Sequence, residues 1–213
     1  MNISSLSVKE LLHRVNLADN AFRSIPELQK VLKTFSWDEA KMQIGQDLGA
    51  KVLDWIKQQQ NTQEQAQEAQ KVFQDAKRSL NAFYKSHIRV ARFVYADDRI
   101  ELKKLMLVGP RSNRYSSWLE QVRVFYALVD QKNLAKYGLM KEEISQVQQI
   151  LDKLLDLEVL RNQARWQAQQ TTDNKNEAVV EMRNWYRRFI QIARLACVDN
   201  PQLLESIGLT VKV

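Results

Sequence analysis

The chain is poor in the residues that punctuate, cross-link and catalyse. Five glycines and three prolines occur in 213 residues. So few breakers, in a background rich in Leu, Ala, Gln and charged residues, exclude a turn-dense β architecture and leave a helical chain. Pro26, Pro110 and Pro201 all fall at expected element boundaries. One cysteine, Cys197, excludes an internal disulfide. Its apolar neighbours make it a small buried hydrophobe, and a reducing cytoplasm is the simplest setting. No run of 18 apolar residues exists, so no membrane-spanning helix is expected. The opening MNISSLSVKELLHRVN has no uninterrupted apolar segment before its charges, so no secretory signal is expected.

Catalytic and metal chemistry is equally sparse. The only histidines are His13 and His87, with no His pair at i, i+4, no Cys pair and no pair of carboxylate-x-x-His motifs as in the di-iron bundles. No metal and no cofactor are expected. His87 falls on an apolar helix face and reads as a packed or hydrogen-bonded core residue. Glu142 and Glu143 complement a helix N-terminus. No glycine-rich phosphate loop follows a strand. The expectation is a non-enzymatic protein.

What is present begins with charge. The net charge is +7, and residues 77–114 hold ten Lys or Arg against three acids. The rest of the chain therefore sums to zero, and the basic excess is local. Lys85, Arg89, Arg92, Lys103, Lys104, Arg111 and Arg114 form the candidate binding patch. Such a cluster is what neutralising several phosphates requires. The competing reading is a solvated face, with Arg92 and Arg194 complementing helix C-termini and pairing with Asp97 and Asp199.

Two stretches resemble each other at an offset of 102: Leu80–Leu107 and Met182–Leu209. Aligned without gaps they share Tyr84/Tyr186, Ile88/Ile190, Ala91/Ala193, Arg92/Arg194, Asp97/Asp199, Leu102/Leu204 and Leu107/Leu209. Upstream, at the same offset, Leu32 faces Leu134 and Phe35 faces Tyr137. A constant offset over that distance argues for duplication of a unit of about 100 residues. In each copy a polar stripe (Asn81, Lys85, Arg89, Arg92; Arg183, Arg187, Gln191, Arg194) follows one narrow helical face. The remaining positions are largely apolar and call for neighbours on several sides.

The elements follow from caps and periodicity. Ser7-Val8-Lys9-Glu10 is a capping box for a helix buried through Val8, Leu11, Leu12, Val15, Ala18, Phe22 and Ile25. Ser36-Trp37-Asp38-Glu39 opens the next, with Trp37, Ile44, Leu48, Val52, Trp55 and Ile56 on its buried face. Gly45 and Gly49, four apart, permit close helix contact. The Gln-rich stretch 57–65 favours a hairpin, with Thr62 and Gln65 capping a third helix; one unbroken helix is the alternative, since neither Gly nor Pro intervenes. The second unit repeats the plan, with Ser116 or Ser117 as first cap, a Leu/Ile-rich helix from Ile144 to Leu157, and Asn174 with Glu177 capping the last long helix. Asn200-Pro201 and Gly208 punctuate the final short turn.

The segment from Trp185 through Phe189, Ala193-Arg194, Asp199 and Pro201–Leu209 resembles the ending of a group of bacterial all-helical proteins of unassigned function. The likeness covers about 30 residues. It implies a bacterial helical protein and transfers no catalytic residue, cofactor or partner.

The fold expected is all-α: a helical bundle of two duplicated units, 1–110 and 111–213, each of three long helices plus a short one, as separate bundles or around one core. The function expected is structural or protein-binding, with the protein itself or another as partner. Tyr115, Trp118, Tyr126 and Trp166 supply aromatics that interfaces favour, Trp166 from within an otherwise polar stretch. The alternative is nucleic-acid binding through 77–114.

Overall fold

The computed structural model describes residues 3–210. Among these every regular element is helical. The long elements are α1 (Val8–Ser24), α2 (Pro26–Thr34), α3 (Glu39–Val94), α5 (Tyr115–Leu128) and α7 (Lys141–Ala196), with short α4 (Arg99–Lys104) and α6 (Gln131–Ala135). Single 3-10 segments occupy Ile3–Ser5 and Pro201–Ile207. No helix among the described residues is long and apolar enough to cross a membrane.

Local chemistry sets the boundaries. Ser7 Oγ accepts from the Glu10 amide at 3.2 Å while Glu10 accepts from the Ser7 amide at 2.9 Å, closing the capping box of α1. Pro26 takes the first position of α2 behind an extended Ile25, dividing what would otherwise be one helix. The expected Ser36 cap of α3 is replaced by Asp38, whose Oδ1 accepts from the Lys41 amide at 3.1 Å. Ser36 instead ends α2 in the left-handed region, with φ 56°. Arg114, not Ser116 or Ser117, precedes α5 as its cap residue.

The expected hairpins at 57–65 and 169–175 do not form. α3 and α7 each run unbroken for 56 residues, so each expected pair of long helices is one. Glutamine is a good helix former, and nothing in the polar stretches breaks the ladder. Thr62, expected to cap a helix, donates back to the Gln58 carbonyl at 3.0 Å and pairs with Thr171 Oγ1 at 2.7 Å. Gln59 Nε2 donates to Thr172 Oγ1 at 2.9 Å. Side-chain hydrogen bonds occupy the place of apolar packing there.

The compact units therefore do not follow the expected division at 110/111. One comprises residues 1–63 and 166–213, the other residues 64–165. In the first, Leu11, Val15, Ala18 and Phe22 of α1 and Leu28 and Leu32 of α2 pack with Trp37, Met42 and Val52 and with Met182, Trp185, Tyr186, Phe189, Ile190 and Ala193 of α7. Cys197, Ile207 and Leu209 close this core. In the second, Phe73, Leu80, Tyr84, Ile88 and Ala91 of α3 meet Trp118, Val122, Phe125 and Tyr126 of α5 and Ile144, Val147 and Leu154 of α7. Three residues expected inside, Ile44, Leu155 and Leu195, are exposed.

Several features recur at the interval of 102 residues. α3 and α7 begin and end 102 positions apart. Left-handed residues pair in the same way: Ser36 (φ 56°) with Gly138 (φ 88°), and Met106 (φ 56°) with Gly208 (φ 73°). Each ends its helix with the same two hydrogen bonds, from the left-handed residue to the carbonyl three back and from the next residue to the carbonyl five back. The buried pairs Leu80/Met182, Tyr84/Tyr186, Ile88/Ile190, Ala91/Ala193 and Leu105/Ile207 fall at this interval too.

Candidate functional site

The structure does not bring the seven basic residues of the candidate patch to one cavity. Arg92 donates through Nε to the Leu107 carbonyl at 3.3 Å and through Nη2 to the Gly109 carbonyl at 2.8 Å, tying the loop after α4 to α3 instead of pairing with Asp97. Lys104 bonds Glu101 one turn back at 3.3 Å. Lys103 and Lys104 line a recess with Arg99 and Ile100. Arg89 and Arg114 are exposed. Lys85 and Arg111 line a separate cavity.

That cavity, of about 620 Å³, lies within the unit 64–165. α3 supplies Gln74, Lys77, Arg78, Asn81 and Lys85; the segment before α5 supplies Pro110–Asn113; α5 supplies Tyr115 and Trp118. Lys77, Asn81 and Lys85 are spaced i, i+4, i+8 and so share one face of α3. The stripe read from Asn81 onward thus extends one turn further back than expected. That spacing was the available signal for Lys77.

Two of the cations are held against the wall of the cavity. The Lys77 ammonium sits 5.0 Å from the Tyr115 ring centroid and 5.8 Å from that of Trp118. Arg111 Nη1 donates to Asn81 Oδ1 at 3.0 Å, which leaves its other N–H groups free to bind elsewhere. Gln121 accepts from the Ser112 amide at 3.0 Å and holds the segment against α5. Arg78 pairs with Asp75 at 3.0 Å on an exposed surface. Tyr115 donates to Glu158 at 3.2 Å; burial and the Glu158 charge push its hydroxyl up to about 12. The cavity lining itself carries four cations and no carboxylate. The Trp118 indole N–H is buried and has no acceptor among the described residues.

A second polar cluster surrounds His87. It is buried, as expected, and its Nδ1 lies 2.7 Å from the Tyr126 hydroxyl and its Nε2 3.2 Å from Glu143. Burial pushes the imidazole below its ordinary value despite the Glu143 carboxylate. The neutral ring therefore accepts from Tyr126 and donates to Glu143. Burial also holds the Tyr126 hydroxyl well above the usual tyrosine range. It is a hydrogen-bond donor in this chain, not an activated nucleophile. Glu143, expected to serve the helix dipole alone, has this second role. Among the described residues no group of three His, Cys, Asp or Glu is placed to hold a metal.

The surface carries large apolar residues of its own. Phe93 is 73% exposed and Tyr137 51% exposed, yet their rings meet edge to face at 6.1 Å. Trp166 is 64% exposed. Trp118 and Tyr126, expected among the partner-facing aromatics, are instead buried in the core. No family model, curated protein or solved structure matches the chain.

Proposed function

We propose that the chain is a non-enzymatic helical protein that acts by binding another protein, a second copy or a different chain. The observation that carries this reading is the Phe93–Tyr137 pair. Two rings that touch each other while mostly exposed hold an apolar surface in a fixed arrangement, and interfaces favour aromatics. Leu195 and Phe35, at the corresponding positions 102 residues away, are exposed as well. Each unit thus offers apolar surface at matching positions.

The same reading includes an ancestral duplication of a half of about 100 residues. It is supported by the equal lengths of α3 and α7 and the paired left-handed caps. The unit limits 63/64 and 165/166 also lie 102 apart. On this view each compact unit combines the first elements of one half with the last elements of the other, which is how exchanged segments arise in oligomers.

The test is light scattering with chromatography across a concentration series, with cross-linking in lysate. Phe93→Ser combined with Tyr137→Ser should abolish association while helix content stays constant. A wild-type chain that remains monomeric and cross-links to no protein overturns the reading. Nucleic-acid binding is the second reading, favoured by the four cations of the cavity. It predicts affinity for a mixed-sequence duplex that falls steeply with salt.

A further inference from the structure

We infer that the cavity between α3 and the segment 110–118 binds a compact organic polyphosphate, one ester bearing several negative charges, at one site per chain. Two observations converge. First, Lys77, Arg78, Lys85 and Arg111 line it with no carboxylate among the lining residues, Asp75 lying outside as a partner of Arg78. A recess walled by charge of one sign concentrates its field and attracts the opposite sign. Second, the groups are arranged before any ligand arrives. Lys77 is held over two rings, and Arg111 is oriented by Asn81 with donors to spare.

The other unit supplies an internal comparison, which rests on the correspondence at 102 positions. There Lys77 and Arg78 are matched by Val179 and Val180, and Asn81 by Arg183, whose Nη2 donates to the Leu6 carbonyl at 3.0 Å. The same helical positions are filled without Lys or Arg at 179 and 180. The cations at 77 and 78 are therefore not a requirement of the architecture. Size decides the ligand class: about 620 Å³ accommodates a nucleotide-sized molecule, and the remaining cations of 77–114 do not line this cavity, Arg92 and Lys104 being paired elsewhere.

The experiment is calorimetric titration of the full chain with tripolyphosphate, ATP and orthophosphate at about 50 mM salt, where screening is modest. Tripolyphosphate and ATP should bind one to one. Orthophosphate should bind at least about tenfold more weakly, because it reaches fewer of the cations. Lys85→Ala and Arg111→Ala, checked for unchanged helicity, should each weaken binding about tenfold or more, and Lys103→Ala should not. Absence of saturable binding by both polyphosphates overturns the inference, as does binding that Lys85→Ala and Arg111→Ala leave intact. A 5′-hydroxyl single-stranded oligonucleotide serves as the final arm. If it binds more tightly than tripolyphosphate, and more so with length, the cavity belongs to a nucleic-acid track and the compact-ligand assignment fails. None of these readouts depends on whether the chain binds another protein.

Discussion

Trp185 occupies the space that a side chain at position 45 would need: a Cβ built on Gly45 would lie 2.4 Å from its ring. The indole also stacks on Phe189 at 5.7 Å and donates Nε1 to the Lys41 carbonyl at 3.0 Å. Both contacts oppose its displacement. Gly45→Ala should therefore destabilise the protein by about 1–3 kcal/mol in urea unfolding, despite alanine's better helix propensity. Adding Trp185→Phe should recover much of the loss. The positions 102 residues away support that pairing, since Val147 and Phe83 stand there in place of Gly45 and Trp185. A double variant no better than Gly45→Ala alone would show that the tryptophan is not the obstacle. Gly49 makes the contrast: its Cβ would meet Leu12 at an ordinary 3.7 Å. Gly49→Ala should stabilise by up to about 1 kcal/mol.

The left-handed caps give a paired prediction. Met106 holds φ 56° where Gly208, 102 positions later, holds φ 73°. A side chain costs about 1–2 kcal/mol in that conformation. Met106 is exposed, so its side chain contributes little burial to offset that cost. Met106→Gly should raise stability by about 1 kcal/mol, and the gain should be read as a shift in the urea midpoint without a change in slope. Gly208→Ala should lower it, both for the backbone and because its Cβ would stand 3.0 Å from Leu17. Equal small effects of both substitutions would remove the argument.

How much of this was legible in the sequence depends on what encodes each feature. The all-helical class, the Ser7 box, the Pro201 start and the Gly208 stop are written in local chemistry, and they stand as read. The helix breaks expected at 57–65 and 169–175 are absent because loss of apolar period alone does not encode a turn. Polar residues without Gly or Pro continue a helix, and the Thr62–Thr171 pair gives them something to pack on. That contact joins residues 109 apart and has no local signature. The unit limits at 63/64 and 165/166 rest on the same continuity of α3 and α7. The candidate patch was legible as a charge excess but not as a site. Whether an arginine meets a carbonyl, as Arg92 does, or opens on a cavity, as Arg111 does, is decided by the path of the loop 107–114.

Cys197 offers a probe of the core it closes. It is 1% exposed, and burial pushes its thiol above the ordinary range. Both effects suppress the thiolate that reacts. A thiol reagent at pH 8 should modify the native chain at the rate of unfolding or local opening, and the denatured chain at once. Gly45→Ala, which loosens the same core, should speed the modification. Reaction of the native wild type as fast as a free thiol would contradict the packing of the α7 C-terminus.

His87 sets the last expectation. The folded protein holds it neutral, below the ordinary imidazole value of about 6.5, because burial opposes the charge more than Glu143 favours it. The unfolded chain takes up a proton near its ordinary value. Between the two values the unfolded state binds more protons, so the stability from His87 is complete above about pH 6.5 and is lost as pH falls toward the lower folded value. His87→Phe places there the residue found at 189 and removes the titrating group. It also strands the Tyr126 hydroxyl, so absolute stability should drop at neutral pH by about 1–3 kcal/mol. The diagnostic is the slope. Urea midpoints between pH 7.5 and 5 should fall less steeply in His87→Phe/Tyr126→Phe than in wild type, the double variant leaving no stranded hydroxyl. Parallel slopes would mean that carboxylates alone carry the acid sensitivity and that the buried imidazole is not titrating on unfolding.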